Sequence, residues 1–279
     1  MRYKTILVHA GSDPAADDRM RLAARLARDN DAHLVGSALS GISRFLPAAA
    51  MTAGGDLLAA RCAALRHDAA AALARFERLA LEAGIGSWEP RLIDDEAAAG
   101  MALQARYCDL VVVGQADRSQ VVPSVPPDLP EYLFLSTGRP VLVVPCTGHS
   151  QGLDGNALVA WDGSVEATRA VSAALPLLRA ARSVSVMAFD AEDADPAEGD
   201  ACERLASYLR LQGVAVAGCS VHRPRPQNIG EALLSAASDM QATLLVTGGY
   251  GHSRLREVLT HGVTATILRA MTMPVLFAH

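Results

Sequence analysis

One pattern is written twice along this chain, and that repetition fixes the class of fold. "CDLVVVGQ" (Cys108–Gln115) resembles "ATLLVTGG" (Ala242–Gly249), and "RPVLVVP" (Arg139–Pro145) resembles "MPVLFAH" (Met273–His279). Gly114 and Gly248 stand 134 residues apart, and so do Pro140 and Pro274. A constant offset over two segments marks an internal duplication. "KTILVHAG" (Lys4–Gly11) and "NALVAWDG" (Asn156–Gly163) extend the match, but Gly11 and Asp162 are 151 apart. The first copy therefore carries about 17 extra residues in its middle. "SGISRFLPAAAMTAGGD" is the natural place for them, as a long surface loop or short helix.

Each copy opens with a short β-branched run and continues into an alanine- and leucine-rich amphipathic helix. In the first this is "DDRMRLAARLARDN", with Met20, Leu22, Ala23, Leu26 and Ala27 on one face and its arginines on a solvated face. In the second it is "VEATRAVSAALPLLRA". Further strands ("AHLVGSAL", "SVSVMAF") and helices ("HDAAAALARFERLALEAG", "GDACERLASYLRLQG") follow. Continuous apolar runs such as "LVVVG" and "VLVVP" suit strands buried on both faces. The expectation is α/β: two Rossmann-like domains, 1–147 and 155–279, each a parallel sheet sandwiched by helices. The polar, glycine-containing stretch Cys146–Asn156 reads as the linker.

Composition excludes several functions. At 279 residues and 51% hydrophobic, the chain can bury two aliphatic cores. A net charge of -5 and a pI near 5.9 argue against nonspecific nucleic-acid binding. No run is apolar enough for a membrane span, and the first residues enter a strand without a signal-peptide pattern, so a cytoplasmic setting is expected. The cysteines, Cys62, Cys108, Cys146, Cys202 and Cys219, lie far apart without a CxxC pair. They read as reduced structural thiols, with Cys108 buried, and no zinc motif is supported. Met271 and Met273 read as core.

Ligands of open parallel sheets bind beyond the carboxyl ends of the strands. Two segments of the second copy fall there. "WDGS" places Asp162, Gly163 and Ser164 after the opening strand, where a carboxylate can accept from an adenine amino group or a ribose. The alternative is that Asp162 merely caps the next helix. "GGYGHSRLREVL" places Gly248, Gly249 and Gly251 in a turn whose amides could form an anion nest, with Arg254 or Arg256 adding charge. The alternative is a glycine turn without a ligand. His252 and His261 lack metal-ligand spacing, and Ser164 lacks a nucleophile elbow.

With these residues in view, the chain resembles a tandem universal stress protein over nearly its whole length. The family's nucleotide loop reads Gly, two residues, Gly, nine residues, Gly, then Ser or Thr. Gly248 and Gly251 match; after His252 to Thr260 stand His261 in place of glycine and Gly262 in place of the hydroxyl residue. Val263 and Thr264 follow, neither Thr260 nor Thr264 being in register. The resemblance implies an adenine-nucleotide-hydrolase-like fold in each half. It also implies a site for ATP or another adenine nucleotide, with Mg possible alongside it and Asp162 on the adenine side. If the family's glycine adopts φ > 0, His261 costs about 1 kcal/mol or more, although a protonated imidazole could also donate to phosphate.

The first copy departs further, because Gly11 stands where Asp162 does, Asp13 comes two residues late, and no second glycine follows Gly114 at the right distance. It is expected to have lost the site. An adenine-nucleotide-binding or protein-interaction role in a stress response is therefore expected, with any nucleotide site in the second copy only, a slow ATPase and a scaffold with two dead sites being the alternatives. The apolar closing strands should pair within the chain as an internal pseudo-dimer, sparing exposed edges. A further protein partner is expected but has no signature in the sequence.

Overall fold

A computed structural model describes residues 2–43, 55–116, 125–147, 152–189, 201–222, 229–250 and 262–279. Contacts divide the chain into two units, 2–139 and 140–279. Among the described residues, no helix is long and apolar enough to cross a membrane.

The first unit runs β1 (Thr5–His9), α1 (Ala16–Asn30), β2 (His33–Leu39), α2 (Gly55–Glu82), β3 (Trp88–Ile93), α3 (Ala97–Ala105), β4 (Leu110–Gly114) and α4 (Leu129–Thr137). Its strands pair in parallel in the order β3-β2-β1-β4. Ile6, Leu7, Val8 and Leu110 to Val113 are wholly buried, as strands covered on both faces must be. The apolar stripe of α1 faces inward as its periodicity predicts, and the helix stops at Asp31 in the left-handed region. Arg19 corrects the expected solvated arginine face: it is 1% exposed, whereas Arg21 and Arg28 reach solvent.

Helix α2 begins 12 residues before the expected "HDAAAALARF" segment. Before Ala69 only Cys62 is buried, so the leading turns carry no apolar stripe for periodicity to find. Its later turns bury Phe76, which meets Trp88 edge-on at 6.0 Å between ring centres. Most of the inserted "SGISRFLPAAAMTAGGD" segment lies outside the described residues.

The second unit runs β5 (Val141–Val144), β6 (Asn156–Trp161), α5 (Val165–Ala180), β7 (Ser183–Phe189), α6 (Ala201–Leu211), β8 (Val216–His222), α7 (Ile229–Asp239), β9 (Ala242–Gly248), α8 (Val263–Ala270) and β10 (Val275–Ala278). The strand order is β5-β10-β9-β6-β7-β8. All neighbours are parallel except β5, which joins β10 antiparallel through Val143–Val275, Leu142–Leu276 and Val141–Phe277. The second copy's own strands form the expected parallel sheet, and the first copy's closing strand, β5, pairs antiparallel with the second's, β10. Met271 and Met273 lie in the core, and so does Cys108, whose thiol burial pushes up to about 11.

One expectation about the cysteines fails. Cys202, in the first turn of α6, is bonded to Cys219 on β8, with Cα atoms 6.0 Å apart. Their sequence separation of 17 gave no motif, and only the return of β8 beside α6 brings the pair together.

Candidate functional site

In the second unit, β6 lies between β7 and β9, so the chain's crossovers leave β6 in both directions. The crevice at such a switch point, beyond the carboxyl ends of β6 and β9, is where this architecture receives ligands. Asp162 follows β6, and Gly248 ends β9.

The Asp162 turn is locally determined. Gly163 takes φ +73°, a backbone that side chains rarely adopt. The chain folds back so that the Ser164 N–H donates to Asp162 Oδ1 at 3.0 Å. Ser164 Oγ in turn accepts from the Ala167 N–H at 3.1 Å, making Ser164 the N-cap of α5. Capping therefore falls to Ser164. Asp162 is exposed, and its second oxygen has no partner among the described residues.

Gly248 sits against the start of the same helix. A Cβ there would stand 2.7 Å from the Ala167 nitrogen and 2.9 Å from the Glu166 carbonyl carbon. Backbone cannot yield as a side-chain end can, so this close approach requires glycine. Glu166 was not singled out by sequence reasoning. It is 4% exposed without a hydrogen-bond partner among the described residues, in the first helical turn where the helix dipole favours a carboxylate. An acidic residue just after an N-cap was the available signal.

Beyond Gly248 the amides are largely committed. The Gly249 N–H donates to the Ala278 carbonyl at 2.9 Å, and His279 Nδ1 lies 2.9 Å from the Gly249 carbonyl. The Tyr250 N–H donates to Thr264 Oγ1 at 3.3 Å, with Tyr250 at φ +53°. An outward nest expected over Gly248 to Gly251 therefore does not include the amides of residues 249 and 250. Thr264, out of register with the family hydroxyl, instead ties β9's exit to the first turn of α8. Gly262 is the N-cap of α8 at φ -64°, ψ 163°, without a side-chain cap; Val263 follows, half-buried. Gly251, His252, Arg254, Arg256 and His261 lie outside the described residues.

The first unit fills the equivalent position differently. Arg19 Nε donates to the His9 carbonyl at 3.0 Å, and its two terminal nitrogens reach Asp13 Oδ1 and Oδ2 at 3.1 and 2.8 Å. Gly11 and Gly114 both abut the guanidinium, which a side chain at either place would strike. Burial pushes the His9 imidazole down to about 3, helped by the Arg19 charge. Burial also pushes the Asp13 carboxyl up, but the Arg19 charge and hydrogen bonds outweigh it, leaving Asp13 below the usual range. A recess of about 110 Å³ remains beside Gly11, Ser12 and Ser40, with a neutral imidazole at its wall. Among the described residues, no three His, Cys, Asp or Glu side chains gather closely enough for a metal ion.

The second unit is thus a doubly wound α/β unit with a carboxylate after one central strand and a glycine exit after its neighbour, and comparison with known proteins narrows its class. Residues 155–279 match the model of the universal stress protein family. This second half is similar to universal stress proteins. A universal stress protein from Archaeoglobus fulgidus DSM 4304 is similar in fold at 13% identity and TM-score 0.74, covering 98% of this chain and 95% of that one. A functionally unknown protein from Pseudomonas aeruginosa PAO1 is similar at 16% identity and TM-score 0.57, covering 99% and 92%. No curated protein matches the chain.

Proposed function

We propose that the chain is a stress-response protein that binds an adenine nucleotide in its second half alone and acts as a binder rather than a catalyst. The observation that carries this reading is the exposed Asp162 carboxylate at the switch point, relieved of capping by Ser164 and set beside the Gly248 exit. The base would lie near Asp162, with phosphates toward the uncapped N-terminus of α8, whose first amides suit an anion. In the first half, the Arg19–Asp13 pair occupies the corresponding space, so that half contributes structure. Pairing of β5 with β10 supports the idea that the two closing strands satisfy each other within the chain.

Calorimetry with ATP on the full chain tests the site. Asp162→Ala and Gly251→Val should each weaken binding. The double change His261→Gly with Gly262→Ser should strengthen it about tenfold, equivalent to about 1.4 kcal/mol. Gly262 already holds an extended backbone that serine adopts readily at an N-cap, so this half of the change adds no strain. Nucleotide bound undiminished by Asp162→Ala would remove the assignment. Sustained phosphate release lost in the same variant would replace binder with slow ATPase, and no binding by any variant would leave a scaffold.

A further inference from the structure

We propose that Cys202 and Cys219 form a reversible thiol–disulfide site in the second half, taking a hydroperoxide as oxidant and tying α6 to the edge strand β8. The register of β8 makes this possible. Val184 pairs with Val216 but Ser185 pairs with Gly218, so Ala217 is an extra residue, a bulge. Without it Cys219 would stand beside Met187; with it Cys219 stands beside Val186. A slip of one residue exchanges the two faces of a strand. The bulge thus turns Cys219 onto the face where Cys202 approaches, and the Cys202 sulfur lies 3.7 Å from the Val186 carbonyl oxygen.

Both redox states are accommodated. Oxidised, the sulfurs are bonded across Cα atoms 6.0 Å apart, within the normal disulfide range. The Cys202 sulfur lies 3.7 Å from the carbonyl oxygens of Val186 and Ser220, so a reduced thiol at this position would have an acceptor within reach. The two sulfurs differ in access. Cys202 is 1% exposed, whereas Cys219 is half-buried on a strand that, among the described residues, pairs with β7 alone. Cys219 is therefore the sulfur an oxidant meets first.

The Cys219 thiol gives up its proton, its thiolate attacks one oxygen of the hydroperoxide, and the O–O bond breaks; Cys219 becomes a sulfenic acid as the alkoxide (hydroxide, from hydrogen peroxide) leaves and takes up the released proton. The Cys202 sulfur then attacks the Cys219 sulfur, and the S–O bond breaks. Hydroxide departs with the Cys202 proton as water. Two thiols lose two electrons, and the hydroperoxide gains them. A dithiol reductant reverses the change by thiol–disulfide exchange. Cys62 and Cys108 are buried and form no disulfide.

The test uses the full chain, reduced, then titrated with hydrogen peroxide, alkylated and mapped by mass spectrometry. One intramolecular Cys202–Cys219 link should appear, two hydrogens lighter, with three cysteines still alkylated and the link reversed by dithiothreitol. In Cys202→Ser, Cys219 should stop at a sulfenic acid that dimedone traps. In Cys219→Ser, residue 202 should stay a thiol. Hydrogen exchange of the amides in 201–222 should slow at least about tenfold on oxidation, since the link restrains local opening. Full alkylation at every peroxide level, links to Cys62, Cys108 or Cys146, or dimedone on Cys202 rather than Cys219 would each overturn the proposal. An unchanged exchange rate would overturn the tie between α6 and β8.

Discussion

Gly248 and Arg19 occupy corresponding ends of the two copies and set opposite constraints on them. At Gly248 an added methyl meets the backbone of α5's first turn, so Gly248→Ala should destabilise the second unit by about 1–3 kcal/mol, read from the urea midpoint. A neutral result would mean that the first turn of α5 shifts freely. Arg19 is held by Asp13 and the His9 carbonyl while almost wholly enclosed. Arg19→Met strands the Asp13 carboxylate and should cost about 3–5 kcal/mol. Adding Asp13→Asn should recover part of that loss, because the stranded charge is removed. If the double variant is no more stable than Arg19→Met, the charge of Asp13 is not what the arginine compensates. The sequence announced Gly248 through its repeat offset. It concealed Arg19, because an arginine on an amphipathic helix reads as solvated until Gly11 and Gly114 are seen to make room for its head.

Among the elements, the pairing of β5 with β10 carries the most inference from the fewest residues. Val143 and Val275 face each other in register, both wholly buried. Truncating both to alanine in a double-mutant cycle should reveal a coupling of about 0.5 kcal/mol or more, as cross-strand neighbours show. Additive losses would place the two residues out of contact. Most elements were legible because their signals are local: an apolar run for β4 and an apolar stripe for α1, whereas the cap of α5 fell to Ser164 and not to Asp162. Strand direction at β5 was not legible, since "PVLVVP" looks the same in a parallel or antiparallel neighbourhood. The leading turns of α2 lacked a stripe, and the Cys202–Cys219 bond depends on a bulge that no local pattern encodes. The site was half legible: Asp162 and Gly248 stood out by spacing, whereas the Thr264 tie to Tyr250 and the buried Glu166 depend on tertiary placement.

At the scale of the whole molecule, acid should act unequally on the two units. His9 and Asp13 both belong to the first. The folded His9 imidazole is held down to about 3 against an unfolded value near 6.5, so its stability contribution is complete above about pH 6.5. Below that, the unfolded chain takes up a proton that the folded unit refuses. Stability then falls by up to about 1.4 kcal/mol per pH unit as pH drops toward 3. Asp13 is depressed as well, and its contribution is present above its unfolded value and lost only as pH falls through the lower folded one. Between pH 7 and 5 the imidazole therefore governs. The chain has two tryptophans, Trp88 in the first unit and Trp161 in the second. Replacing either with phenylalanine leaves the other as a reporter of its own unit. Urea titrations followed by Trp88 fluorescence should lose midpoint steadily from pH 7 to 5, and His9→Gln should flatten that slope. Titrations followed by Trp161 should be unmoved by His9→Gln. A Trp88 slope that survives His9→Gln would place the acid sensitivity on another group, whereas its loss would locate the first unit's pH response in the side chain beside the Arg19–Asp13 pair.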